Sequence, residues 1–467
     1  MSLKNLFSAR DMTQGPPWKR ITEFAMPMLI GNIAQQLYNT ADSVIVGRHV
    51  GDNALAAVGS AGPILNLLLA LFVGISTGAG IVISQSYGAK DRQALSENIG
   101  NCISLAALAS VVIMIIGPLL TMPLLNLLST PESIIDWCAG YLNIYFYGIV
   151  GFFFYNMLSG VLRGLGDSLS ALVFLLVAAA LNVVLDIVFV ANFGLGVPGV
   201  ALATIISQAI SAVCCYVKLL RMGDIFDLNW KMLKMKKNRS LTILRIGIPS
   251  GITQAIMSMA MMVVQSLTNT MGEMVIAANV IIMRVDGFAM MPNFSFGQTM
   301  SVYAGQNVGA GKFDRVTKGC KQGNLIALAT AAVVTVVLVT FGHYLFGIFT
   351  TTEALIQLAS RMMRIMAVGY LGVAITQGLG GVMRGAGDTV TPMWISALST
   401  IVIRVPVAYV LAYFTRSEQW PNGAPEALSV SLLVSWTLGM VLSVIAYRMG
   451  KWKTKMYASA KSHGHEV

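Results

Sequence analysis

A chain of 467 residues with 56% hydrophobic and only 11% charged residues is unlike a soluble protein, in which about a quarter of residues carry charge. Its mean hydropathy of +0.72 comes from apolar runs of about 20 residues or more, each long enough to cross about 30 Å of hydrocarbon. A soluble core, a disulfide scaffold, a disordered chain and an outer-membrane barrel, whose strands show only short alternating signals, are all excluded.

Twelve spans are predicted, at 21–48, 54–82, 99–128, 137–162, 168–192, 198–221, 242–268, 274–303, 319–348, 354–383, 389–414 and 426–449. Several exceed the thickness of the bilayer, so tilt or helical extension beyond it is expected. The net charge of +11 lies almost wholly in the short segments between spans, which encodes topology and argues against nucleic-acid binding. With both termini in the cytoplasm, 25 of the 31 Lys and Arg face inward. The richest inner segments hold Lys4, Arg10, Lys19 and Arg20, then Lys231, Lys234, Lys236, Lys237 and Arg239, then Lys451, Lys453 and Lys455. Only Arg48 and Arg416 fall outside, while Arg284, Arg361, Arg364 and Arg404 sit within spans. A missed span would destroy this bias. Residues 1–20 are polar and basic and show no signal-peptide pattern.

The chain repeats itself. Arg163-Gly-Leu-Gly-Asp167 recurs as Arg384-Gly-Ala-Gly-Asp388, a shift of 221 residues. With the same shift Gln85, Gly88 and Ala89 match Gln306, Gly309 and Ala310, Glu132 matches Glu353, Gly148 matches Gly369, and Gly151 matches Gly372. A constant offset over separated regions means duplication. The reading is an all-α polytopic membrane protein of 12 transmembrane helices in two six-helix lobes. An even number of spans per half gives lobes related by a pseudo-two-fold along the membrane normal. Residues 1–221 form the N-lobe, 222–241 a cytoplasmic inter-lobe linker, 242–449 the C-lobe and 450–467 a cytoplasmic tail. Matched halves that rock about a central site suit a secondary transporter. No Gly-rich Lys-Ser/Thr nucleotide loop is present, so ATP does not drive it within this chain.

Of twenty carboxylates, three lie well inside spans: Asp42, Asp186 and Asp286. Each costs about 2.5–3.5 kcal/mol to insert as a charge and so needs a compensating role. Cation or proton binding is one such role; the other is a carboxylate satisfied by helix-end amides or by an arginine. Asp42 and Asp186 favour the first, because no Lys or Arg lies mid-span in their half. Gln35 shares a helix face with Asp42, and Asn182 shares one with Asp186. Two carboxylates and two amides in an apolar bundle would form a polar chamber. Burial and like charge both oppose ionisation there, so such a chamber can load and release a proton. Tyr141 and Tyr145, one turn apart, and Thr204 either complete it or serve as packing residues. Pro27 either permits a kink in the first helix or marks a helix start.

Asp286 shares its half with Arg284, Arg361, Arg364 and Arg404, so a structural ion pair is expected there. Most of the 28 methionines fall in the second half, including Met257, Met261, Met283 and Met290. They suit a cavity surface that adapts to many ligand shapes, or equally core filler. Five cysteines without a CxxC pair and four scattered histidines offer no bridge or metal constellation.

Ala41-Asp42-Ser-Val-Ile-Val-Gly47, Leu181-Asn182-Val-Val-Leu-Asp186 and the paired Arg-Gly-x-Gly-Asp loops resemble the MATE (multidrug and toxic compound extrusion) family, over essentially the whole chain. The resemblance implies that Asp42 and Asp186 bind the coupling proton or sodium, that Gln35, Asn182 and Thr204 line the same pocket, and that Pro27 marks a bend. It implies antiport: inward H+ or Na+ drives out amphipathic, often cationic, compounds, with antibiotic resistance as the consequence. No cofactor is expected, and no metal unless Na+ sits at Asp42, Asp186 and Asn182. Residues 242–268 contain no Asp or Glu and offer Gln254 as a polar candidate for the substrate cavity, beside Asp286 and Arg284. That is more similar to the DinF-like than the NorM-like branch and favours protons. The partners expected are small-molecule drugs and the lipid bilayer, with no nucleic acid, for a monomer in the inner membrane. The alternative is a lipid-linked precursor flippase of the wider superfamily, binding a pyrophosphate head through cavity arginines.

Overall fold

The computed structural model describes residues 9–50, 52–127, 130–462 and 464; the side chains of residues 39, 41–44, 46–49, 52, 53, 55, 56, 60 and 63 lie outside that description. Among the described residues every regular element is helical. The helices are α1 (Pro17–His49), α2 (Asp52–Gly88), α3 (Arg92–Leu127), α4 (Glu132–Tyr147), α5 (Ile149–Gly164), α6 (Ser168–Asp186) and α7 (Gly196–Leu220). They continue as α8 (Lys237–Thr270), α9 (Glu273–Ala289), α10 (Met291–Gly309), α11 (Phe313–Gly347), α12 (Glu353–Ala367) and α13 (Gly369–Gly385). The chain ends with α14 (Val390–Ala397), α15 (Val405–Phe414), α16 (Glu426–Met449) and α17 (Lys451–Ser462). Two π-helical stretches interrupt the order, Ile187–Asn192 directly after α6 and Leu398–Arg404 between α14 and α15.

Nine helical segments among the described residues are long and apolar enough to cross a membrane. Two broken spans, α4 with α5 bent by 54° and α12 with α13 bent by 42°, bring the number to eleven. The remaining predicted span corresponds to α1. The sequence reading had drawn 137–162 and 354–383 as continuous. At the first break a side chain at Gly148 would overlap Ile205 on α7; just past the second, at Val368, one at Gly369 would overlap Trp436 on α16. The matched glycines therefore mark bends where a neighbouring helix comes too close for a Cβ.

The chain divides into two compact units: Met1–Asp11 with Met26–Gly251, and Met12–Ala25 with Ile252–Val467. Each has its own apolar core. Two helices change unit along their length, α1 between Ala25 and Met26 and α8 between Gly251 and Ile252. Both carry an internal proline beside that point, Pro27 and Pro249. Pro27 thus lies well inside α1 and is not a helix start. A proline there removes a backbone hydrogen bond close to the point where the helix changes unit.

The repeated loop motif has a backbone explanation. At the end of α5 Gly166 takes φ +86°, its N–H donates to Arg163 O (2.9 Å), and Asp167 N–H donates to Leu162 O (2.9 Å). This is the Schellman helix stop, whose left-handed position glycine occupies without a Cβ clash. Asp167 then caps α6, accepting from Ser170 N (2.9 Å) and Ser170 Oγ (2.6 Å). The second copy repeats each bond: Gly387 (φ +92°) to Arg384 O, Asp388 to Met383 O, and Thr391 N and Oγ1 to Asp388 at 3.2 and 2.7 Å. Arg-Gly-x-Gly-Asp is a stop followed by a start.

In the first unit, Gly74 and Gly78 of α2 meet Gly251 and Gly247 of α8, and a Cβ at any of the four would run into the facing backbone. Both pairs have small-xxx-small spacing, by which membrane helices approach closely. Residues 450–467, read from the sequence as a tail, contain α17. Its stripe Trp452, Met456 and Ala460 is buried, with Trp452 stacked on Tyr447 (5.0 Å), and the lysines between them point outward.

Gly247→Leu should weaken the first unit by about 1–3 kcal/mol, the usual cost of overpacking, and lower the detergent melting temperature. A melting curve superimposable on wild type would show that the α2–α8 approach is dispensable.

Candidate functional site

In the first unit a polar set is built by α6 and α7. Asn182 and Asp186, one turn apart on α6, are 1% and 0% exposed, and Thr204 of α7 is 8% exposed. A carboxylate only accepts and a backbone N–H only donates, so with Asp186 ionised the Asn182 amide is fixed. Its Nδ2 donates to Asp186 Oδ2 (2.8 Å) and its oxygen accepts from Thr204 N (3.1 Å). The reverse orientation would set the amide oxygen against the carboxylate and Nδ2 against the Thr204 N–H, two repulsive contacts in place of two hydrogen bonds. The π-helical stretch Ile187–Asn192 begins at the next residue, the kind of bulge that recurs at functional sites.

The other residues expected at this site are placed as follows. Tyr141 and Tyr145 are buried on α4, their rings 6.2 Å apart, and Tyr145 also packs against Phe152 of α5 (6.3 Å). Gln35 is exposed on α1. The side chain of Asp42 lies outside the described residues. Among the described residues no three of His, Cys, Asp and Glu gather as a metal site.

The second unit holds Asp286 in a different setting. The expectation of an ion pair with a neighbouring arginine needs correction: the partner is Tyr370 of α13, whose hydroxyl donates to Asp286 Oδ1 at 2.6 Å. Tyr370 is fully buried, packs on Trp436 (5.4 Å) and lies against the Met363 sulfur (3.7 Å). Arg404 is near enough to act on Asp286 electrostatically, yet no ion pair between them occurs among the described residues. Its Nε is buried and unbonded at the end of the second π-helical stretch. Arg284 and Gln254 are exposed, as are Met261 and Met283, while Met257 is half-buried. Met290 is different, being 8% exposed within the second core. Tyr370 was not legible beforehand, because a single tyrosine after a glycine in an apolar run carries no spacing signal.

With this geometry in place, comparison with known proteins decides the family. The MatE family model matches the chain twice, over residues 27–188 and 249–410. The chain belongs to the MATE family. Each match begins at one of the two prolines where α1 and α8 change unit. MATE proteins are membrane transporters, not enzymes. Among similar proteins, the probable multidrug resistance protein YoeA of Bacillus subtilis is 31% identical over 448 residues, 94% of this chain and 95% of that one. The probable multidrug resistance protein NorM of Thermotoga maritima is 26% identical over 451 residues, covering 94% and 93%. A solved structure described as the outward-facing conformation of a multidrug resistance MATE family transporter aligns with TM-score 0.87 at 22% identity, over 98% of this chain and 99% of that one. That likeness shows the same fold.

Tyr370→Phe leaves the Asp286 carboxyl without its donor, and should cost about 1–3 kcal/mol of stability, read as a lower melting temperature in detergent. Unchanged melting would mean that another group answers Asp286.

Proposed function

We propose that the chain is a multidrug efflux antiporter of a cell's inner membrane, expelling amphipathic compounds as protons enter. The curated relatives bearing multidrug-resistance names support the cargo class. The observation that carries the coupling is the buried Asp186–Asn182–Thr204 set, in which the Asn182 amide donates to the Asp186 carboxylate and accepts from the Thr204 N–H. Proton uptake at Asp186 removes the charge that the Asn182 amide N–H answers, loosens the Asn182 bridge to the Thr204 N–H, and so couples charge at α6 to its packing on α7. Asp42 shares the proton-binding role in this reading, and Pro27 lets α1 bend as occupancy changes. Positive-inside charge puts both termini and the 222–241 segment in the cytoplasm. An apolar seventh span without acidic residues supports protons over sodium.

Everted vesicles offered a fluorescent cationic dye in the outer medium test this under separately imposed pH and sodium gradients. Transport should follow the pH gradient, vanish in Asp186→Asn at unchanged protein level, and be strongly reduced in Asn182→Leu. Wild-type rates in Asp186→Asn, or transport driven by sodium alone, would overturn the coupling.

A further inference from the structure

The segment between the two halves does not hang free. Residues 223–236 run down the first turns of α3, held at successive steps of one helix face. Arg92 grips the start, donating to Gly223 O (2.6 Å), Asp224 O (2.7 Å) and the Asp227 carboxylate (2.9 and 3.0 Å). That guanidinium holds the Asp227 carboxyl below the usual carboxylate range. Ser96 Oγ then accepts from Asp227 N (2.9 Å), the Met232 carbonyl fills the notch at Gly100, and Ser104 Oγ donates to Leu233 O. The chain then turns back: Lys236 N donates to Asn101 Oδ1 (2.8 Å), and α8 begins at Lys237. Glu97, 5% exposed, clasps the return with Lys236 Nζ (2.6 Å) and Arg239 Nε (3.1 Å).

This path has a depth. Glu97 is the last charged residue of α3, and every residue from there to Leu127 is uncharged. Leu233 docks seven residues further on, about 10 Å along the helix axis, where α3 is already apolar. The turn therefore dips into the interfacial layer of the bilayer. At its tip Trp230 is 88% exposed and Met235 44% exposed, while Leu228, Met232 and Leu233 face the protein. An exposed indole beside lysines is favourable at headgroup level, where one end is apolar and the other wet. Lys231, Lys234 and Lys237 are exposed around it. Beside them opens a cavity of about 500 Å³ lined by Glu97, Lys236, Lys237, Asn238, Arg239 and Thr242. One carboxylate there faces three cations and the positive end of α8, which leaves the cavity with surplus positive charge.

We propose that the 228–239 turn is a binding surface for an anionic phospholipid, with Trp230 seated among the headgroups and the surplus cations taking the lipid phosphate. The phosphate shares Lys236, Lys237 and Arg239 with Glu97, so a bound lipid fastens the start of α8 to α3. The inference stands on the linker alone and does not depend on the cargo or the coupling ion.

Full-length protein in phosphatidylcholine vesicles, carrying bromine-labelled phosphatidylglycerol or bromine-labelled phosphatidylcholine at equal mole fraction, provides the test. The Trp230 signal is the fluorescence difference between wild type and Trp230→Phe. The labelled anionic lipid should quench it more strongly than the labelled neutral lipid. Each lysine removed among Lys231→Gln, Lys234→Gln and Lys237→Gln should weaken that preference about fivefold. The single exposed change Lys231→Gln keeps the comparison available if the triple variant does not fold. Inorganic phosphate, at ionic strength matched with chloride, should leave the preference intact. Equal quenching by the two lipids, a preference that survives the lysine changes, or displacement by phosphate beyond that by chloride would each overturn the proposal. The last outcome would assign the cavity to a soluble anion.

Discussion

Hydrocarbon offers no water to a polar group, so each one placed there must be answered from within the chain. That constraint shapes this protein more than any single contact. It explains why Asp186 is lodged with an amide one turn away and a threonine on the neighbouring helix, and why Asp286 is met by a phenol. It also explains why serine and threonine hydroxyls along α3, α7, α10 and α11 turn back onto carbonyls of their own helices.

Duplication supplied two copies of the same scaffold, and they have diverged where chemistry is concerned. Devices made of backbone geometry persist in both: the helix stop and cap at Asp167 and Asp388, the breaks at Gly148 and beside Gly369, and the prolines of α1 and α8. The polar site does not. From Ala397 to Phe414 the second copy contains no Asp, Glu, Asn or Gln, and Arg404 is its one charged residue. A helix stop or cap is set by backbone geometry, whereas a buried carboxylate must be matched residue by residue.

The same distinction governs what could be read from the sequence. Spans, repeat and loop motif were legible because periodicity and offset are properties of the string itself. Asn182 and Asp186 were legible because a turn of helix separates them and both are polar in an apolar run. Tyr370, the α2–α8 glycine contact and the docking of the linker on α3 were not, since each joins segments far apart in the chain through residues ordinary in their own context. Arginines in the second half suggested a partner for Asp286 by sign of charge alone; geometry gave that place to a neutral hydroxyl, which satisfies a carboxyl oxygen in either protonation state. The helical end of the chain was missed for a related reason, a stripe of three residues being too short to stand out among lysines.

The central claim is that proton uptake at Asp186 loosens the hydrogen bond from Asn182. Infrared difference spectra between high and low pH, recorded with isotope-labelled asparagine, address it directly. A carboxylic-acid carbonyl band absent from Asp186→Asn should rise together with a shifted asparagine amide band absent from Asn182→Leu. A protonation band that persists in Asp186→Asn, or one that rises while the labelled amide stays unmoved, would contradict it.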